Sequence, residues 1–247
     1  MYRAEAGTGS RGERDTEYRG NRECSTIRER NIEMSLKRAT LFFIAGSCYL
    51  FLSRTAGTIW PGFWRDLAVA RISASLSFLA ALTAFLFFIA FHGRYTRPGQ
   101  IELRNATMLA IVGTALFALL HGKGLLVLFD LYPYQSIARI RIIEAVIPVA
   151  GALMILLFFV TLYGETFRTK EEHLKRPILL AMIGSAATAL MRLFILIGYF
   201  AWRSGRWFSS LPDTMQYALY PIVIFGFVTL LYFLVAFYRS LDEEPAS

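Results

Sequence analysis

Cysteine, histidine and carboxylates are scarce in this chain outside its first few dozen residues, and each shortage closes off a class of chemistry. Two cysteines, Cys24 and Cys48, in 247 residues are too few for a disulfide framework or a structural zinc site. One falls in a polar stretch and the other in an apolar run, so no pairing between them is expected. The three histidines, His92, His121 and His173, are too dispersed to supply a metal site or two haem ligands at one depth. HExxH, GxSxG and Walker-type glycine loops are absent. These gaps predict a protein that is not an enzyme and carries no cofactor.

Charge is also short. Charged residues make up 18% of the chain against 55% apolar, where a soluble domain usually carries about a quarter. The deficit is deeper in the body, because residues 1–38 hold nine of the 26 Lys+Arg and seven of the 18 Asp+Glu. What remains cannot cover a water-soluble surface of this size. The net charge of +8 is spread as single Arg and Lys residues between apolar runs. A nucleic-acid binder would cluster them with interleaved aromatics, so no nucleic-acid partner is expected. Juxtamembrane cations that orient the chain in lipid explain the pattern.

Long apolar runs are what the sequence has in abundance. Against the roughly 20 residues needed to cross a bilayer, six runs stand out: 39–58, 72–92, 106–120, 142–163, 177–202 and 215–238. None alternates with period two as an outer-membrane strand would. The predicted fold is therefore all-α, a polytopic transmembrane bundle of six helices, with the bilayer as its first partner. Residues 1–35 read as a disordered basic and acidic tail, residues 36–240 as the membrane domain and residues 241–247 as a second short tail. Ala45, Gly46, Ser47 and Cys48 have the outline of a lipoprotein cleavage site, which would leave five helices. The apolar Tyr49 to Leu52 that follow argue against it. Comparison of the two halves gives no repeat of the inverted-transporter kind.

Lys and Arg near the helix ends predict the orientation. With both termini in the cytoplasm, seventeen fall inside and eight outside, the bias expected of a bacterial-type plasma membrane protein. All four tryptophans, Trp60, Trp64, Trp202 and Trp207, then lie on the outer side as an interfacial belt. The alternative is an outward-facing aromatic pocket.

Two places break the apolar monotony. Arg192 lies within the fifth run, where a lipid-facing guanidinium costs several kcal/mol, so it is expected to face the bundle with a partner. Glu144, the only carboxylate within the six runs, is the natural counter-charge, with Asp130 and Asp213 as loop candidates. Such a pair either fixes packing or contacts a solute; Glu144 is also explained by a helix N-terminus with Arg141 one turn away. His121, Gly122, Lys123 and Gly124 interrupt the third run and are expected to break that helix, ending it at Leu120 or lining a cavity with His121 and Lys123. Small residues in the second run (Ser73, Ser77, Ala81, Ala84) and the fifth (Ala181, Gly184, Ser185, Thr188) predict close helix packing.

These features fit a non-enzymatic membrane helper that assembles with other membrane proteins. The alternative is a small-solute transporter or channel with a cavity near Arg192. No particular small-molecule ligand is indicated.

Overall fold

A computed structural model describes residues 35–56, 59–60, 66–95, 100–129, 137–169, 172–202 and 213–243. At 137–145, 169, 198–202, 213–218 and 242–243 it describes the backbone alone. Six helices account for nearly all of this: α1 (Ser35–Ala56), α2 (Leu67–Tyr95), α3 (Ile101–Leu128), α4 (Ile137–Thr169), α5 (Glu172–Trp202) and α6 (Asp213–Glu243). All six are long and apolar enough to cross a membrane, and no strand occurs among the described residues. The chain is a multi-pass membrane protein.

The helices overrun the apolar stretches that announce them, most plainly in α3. That helix passes through His121, Gly122, Lys123 and Gly124 without a break and ends at Leu128, contrary to the expected interruption. The energetics explain it. Each glycine costs a helix about 1 kcal/mol. A broken backbone at membrane depth would leave several polar groups unsatisfied, at several kcal/mol each. Helix wins. For the same reason Pro148 and Pro221 sit inside continuous helices. The hydroxyls of Thr40, Thr107, Thr161 and Thr188 are satisfied locally, each donating to the carbonyl four residues back at 2.7–2.9 Å. Asp66 caps α2, its Oδ1 accepting from the Ala68 N–H at 2.8 Å.

The six helices are three versions of one hairpin. Residues 35–54, 102–121 and 173–192 align without a gap. In register they carry Leu36, Leu103 and Leu174, then the cations Lys37, Arg104 and Lys175. Ten residues past each leucine come Gly46, Gly113 and Gly184, followed by the hydroxyls of Ser47, Thr114 and Ser185. Each window ends on Arg54, His121 or Arg192. The returning helices match too. Ala80, Gly151 and Gly226 are followed seven residues later by Phe87, Phe158 and Phe233, and eleven later by Phe91, Leu162 and Phe237. Comparing halves hides this recurrence, because its unit is a third of the domain.

Each hairpin is pinned where its glycine meets the small residue of the returning helix. A Cβ on Gly46 would stand 3.1 Å from the Ala80 Cα, one on Gly113 would stand 3.3 Å from the Gly151 Cα, and one on Gly184 would stand 3.3 Å from the Gly226 Cα. Only glycine permits that approach, and dispersion between the closely set backbones holds the pair in lipid. Neighbours in sequence are neighbours in space from α2 to α6. Phe51 of α1 against Phe227 of α6, with centroids 6.4 Å apart, closes the ring. Large aliphatics such as Leu52, Ile72, Leu119, Leu190 and Ile197 are exposed on the outer surface, where lipid covers them.

The glycine crossings divide the bundle. One side, here the terminal face, holds the start of α1 and the end of α6; the other is the far face. Every member of the buried apolar cluster lies on the terminal side of the crossings, from Leu36, Leu103 and Leu174 to Phe233, Phe237 and Leu241. At its centre α2, α4 and α6 interlock by equivalent edge-to-face contacts. Phe88 meets Phe158 at 4.9 Å and 84°, and Phe159 meets Phe233 at 5.1 Å and 87°. Phe91 meets Phe158 at 5.2 Å, and Phe237 meets Phe87 at 5.9 Å. Such pairs each add about 0.5–1.5 kcal/mol beyond area burial.

Candidate functional site

Eighteen residues are five turns of an α-helix, so a residue eighteen beyond another stands on the same face some 27 Å further along. Leu36, Leu103 and Leu174 all point into the core, at 0%, 2% and 5% exposure. Arg54, His121 and Arg192 therefore stand on the inward stripes of α1, α3 and α5. Each lies eight residues, about 12 Å, beyond its glycine crossing on the far-face side. Charge interactions tie the three together: the guanidiniums of Arg54 and Arg192 both act on the His121 imidazole, and Arg54 acts on Arg192. His121 and Arg192 are half-buried, while Arg54 is exposed.

The surroundings of this triad differ from the terminal half in kind. Among the described residues, the buried hydrophobics beyond the crossings are Ala118, Val149, Ala189 and Met191, with no aromatic among them. Polar contacts take their place. Tyr49 donates from its hydroxyl to Ser73 Oγ at 2.9 Å, and Ser53 Oγ lies 3.1 Å from the same atom. Arg71 donates from Nε to the Leu128 carbonyl at 2.9 Å and stacks its guanidinium over Phe129 at 5.2 Å, which finishes α3. The Tyr220 hydroxyl is buried with no hydrogen-bond partner among the described residues.

The expected residues are brought together only in part. His121 joins Arg192, across helices that are not neighbours in the ring. Lys123, two residues past His121, is turned about 200° from the inward stripe and does not share the His121 face. The expected partner Glu144 lies in α4, seven residues ahead of Gly151 and so at a position on that glycine's face, towards α3. Its side chain, like Asp130 and the Asp213 side chain, lies outside the described residues. Neither described ion pair nor any described hydrogen bond involves Arg192. Trp60 is 67% exposed; Trp64 and Trp207, and the Trp202 side chain, lie outside the described residues. Cys48 is half-buried within continuous α1.

Two residues escaped the sequence reading. Arg54 counted there only as a flanking charge, although its spacing from Leu36 repeats that of His121 from Leu103 and of Arg192 from Leu174. Glu165 fell outside the fourth run, which stopped at Tyr163. It is inside α4, 7% exposed, and its Oε1 accepts from Arg168 Nη1 at 3.0 Å. Beside it, on the terminal side, lies a cavity of about 50 Å³ bounded by Phe91, Tyr95, Gln100, Thr166 and Phe237. That is room for a few water molecules. Among the described residues no three His, Cys, Asp or Glu side chains gather as metal ligands.

Known proteins add nothing to this geometry. No family model, curated protein or solved structure matches the chain. Function has to be argued from the triad and the aromatic ring alone.

Proposed function

We propose that this protein is a non-enzymatic solute-handling membrane protein, a small transporter or receptor that admits a solute between its three hairpins from the far face. One observation carries the reading: three equivalent inward positions bear ionisable groups at one level. Charge at the depth of Arg192 is expensive, and packing alone does not call for ionisable groups at all three positions. The aromatic ring seals the opposite half, so the bundle is closed towards its terminal face.

The helper reading calls for a small-residue face left open to lipid for a partner. Gly46, Gly113, Gly184 and Gly226 are instead used within the hairpins, as are Ser73 and Ala81 at buried positions. The lipid-facing surface of the described residues is mostly large aliphatics, so the assembly reading has no small-residue docking face among them.

Orientation follows from charge. Seventeen Lys and Arg on one side against eight on the other, together with the repeated Lys37, Arg104 and Lys175, support cytoplasmic termini in a bacterial-type plasma membrane. The far face then opens outward.

A cysteine-accessibility scan tests the reading on a background with Cys24 and Cys48 replaced by Ala. Membrane-impermeant thiol reagents added from the far face should label Cys at Ser185, Thr188 and Arg192, and not at Phe233 or Phe237. Protection at all five positions would sink the solute reading and return the helper to first place.

A further inference from the structure

We propose that the triad of Arg54, His121 and Arg192 is a binding site for a small oxyanion; this rests on the solute reading and names its substrate class. The chemistry of the three groups points to it. Two guanidiniums present planar forks that match carboxylate or phosphate oxygens two at a time, and an imidazole adds a third donor. All three come from alternate helices of a closed ring, so they approach a ligand on the bundle axis from three directions.

Helix dipoles do not remove the need for an anion. The C-terminal ends of α1, α3 and α5 lie at the far face, where the dipole favours cations, but that effect fades within the last turn. It reaches Arg54 only weakly, since Ile59 is still helical and the Trp60 N–H donates to the Ala56 carbonyl at 2.9 Å. It does not serve Arg192, ten residues short of Trp202, whose five N–H donors have no partner among the described residues. Repulsion from the Arg54 guanidinium in a medium of low dielectric raises the cost of holding Arg192 at this depth, and a bound anion offsets it.

Tyr220 supplies an independent indication. It stands seven residues before Phe227 on the face of α6 that meets α1, since Phe227 packs against Phe51. The antiparallel register then sets Tyr220 about one turn beyond the level of Arg54. Its hydroxyl is buried and without a partner among the described residues, a donor left over near the level of the two guanidiniums.

The oxyanion has two sources, a free solute or the headgroup of an anionic lipid. The test uses the full chain in nanodiscs of phosphatidylcholine, melted while its tryptophan fluorescence is followed. Titrating inorganic phosphate, and separately acetate, should raise Tm saturably, while chloride at matched ionic strength should not. Arg192→Gln should weaken the response about tenfold to a hundredfold, the loss expected for a charge-assisted hydrogen bond. Arg192→Lys and His121→Asn should weaken it less, and Arg176→Gln on the terminal face should leave it unchanged.

A second series in discs containing phosphatidylglycerol separates the sources. A Tm rise seen only there assigns the headgroup and keeps the oxyanion. No response in either disc, or a response that survives Arg54→Gln, His121→Asn and Arg192→Gln, overturns the proposal. So does a wild type that is silent while Glu144→Gln responds, because Glu144 would then be the resident counter-ion. Should Arg192→Gln fail to fold, Arg192→Lys and His121→Asn still decide. A far face that labels freely with no response to any oxyanion leaves the solute reading standing and the oxyanion refuted; labelling nowhere, with a response to phosphatidylglycerol, does the reverse.

Discussion

The two halves of the bundle are built from the same three hairpins and end up as opposites. On the terminal side α2, α4 and α6 point phenylalanines at the axis, and Phe87, Phe88, Phe91, Phe158, Phe159 and Phe233 are all nearly or fully buried. On the far side α1, α3 and α5 carry Arg54, His121 and Arg192 on their inward stripes. The glycine crossings between them act as the pivot. Residues about seven to eight beyond each crossing lie on the inward stripes in both directions, aromatic one way and ionisable the other. A threefold arrangement can thus carry stability in one half and binding in the other.

That division of labour can be broken experimentally. Truncation in the aromatic ring should cost most. Phe158→Ala removes a fully buried ring that meets Phe88, Phe91 and Phe159, and should destabilise by about 3–5 kcal/mol in detergent unfolding titrations. A cost below about 1 kcal/mol would show that the terminal half is not the stabilising one.

The pivot should come next. Gly184→Leu drives a side chain against Thr229 and the Gly226 backbone and should cost about 1–3 kcal/mol. Gly164→Ala, where a Cβ meets nothing within 4 Å, should instead stabilise by up to about 1 kcal/mol. Equal effects at the two glycines would remove the crossings from the account.

Polar groups on the far side should matter less for folding. Ser73→Ala deletes the shared partner of Tyr49 and Ser53 and should cost about 1 kcal/mol, read as a lowered Tm. The smallest effect is expected at the triad. Arg192→Gln without added anion should leave stability within about 0.5 kcal/mol of wild type or raise it, because a costly charge is removed. A loss of about 3–5 kcal/mol would reveal a buried ion pair broken in half, with Glu144 the first suspect.

Most of the fold was legible from residue types. Uncharged, largely apolar stretches between Arg71 and Arg94 and between Glu144 and Glu165 already mark α2 and α4 as spans, since only a helix satisfies its own backbone in lipid. The break expected at His121–Gly124 does not occur, because two helical glycines cost less than the backbone groups that a break would leave unsatisfied in lipid. The site was only half legible. Arg192 announced itself by its cost, and His121 by its company. Arg54 was hidden, since a cation near a helix end is ordinary by itself and gains meaning only from the recurrence across α1, α3 and α5.

Membrane residence, six helices and the face each residue occupies are local properties. They follow from hydropathy and from the 3.6-residue turn, which backbone hydrogen bonding sets within each segment. The spacing of eighteen between each leucine and its cation was likewise written in the chain. What only tertiary structure decided is that the three stripes converge on one axis. That convergence needs three hairpins to close a ring, through contacts such as Phe51 with Phe227 and Phe159 with Phe233. Those contacts join residues far apart in the chain, and they depend on packing shape rather than on residue type.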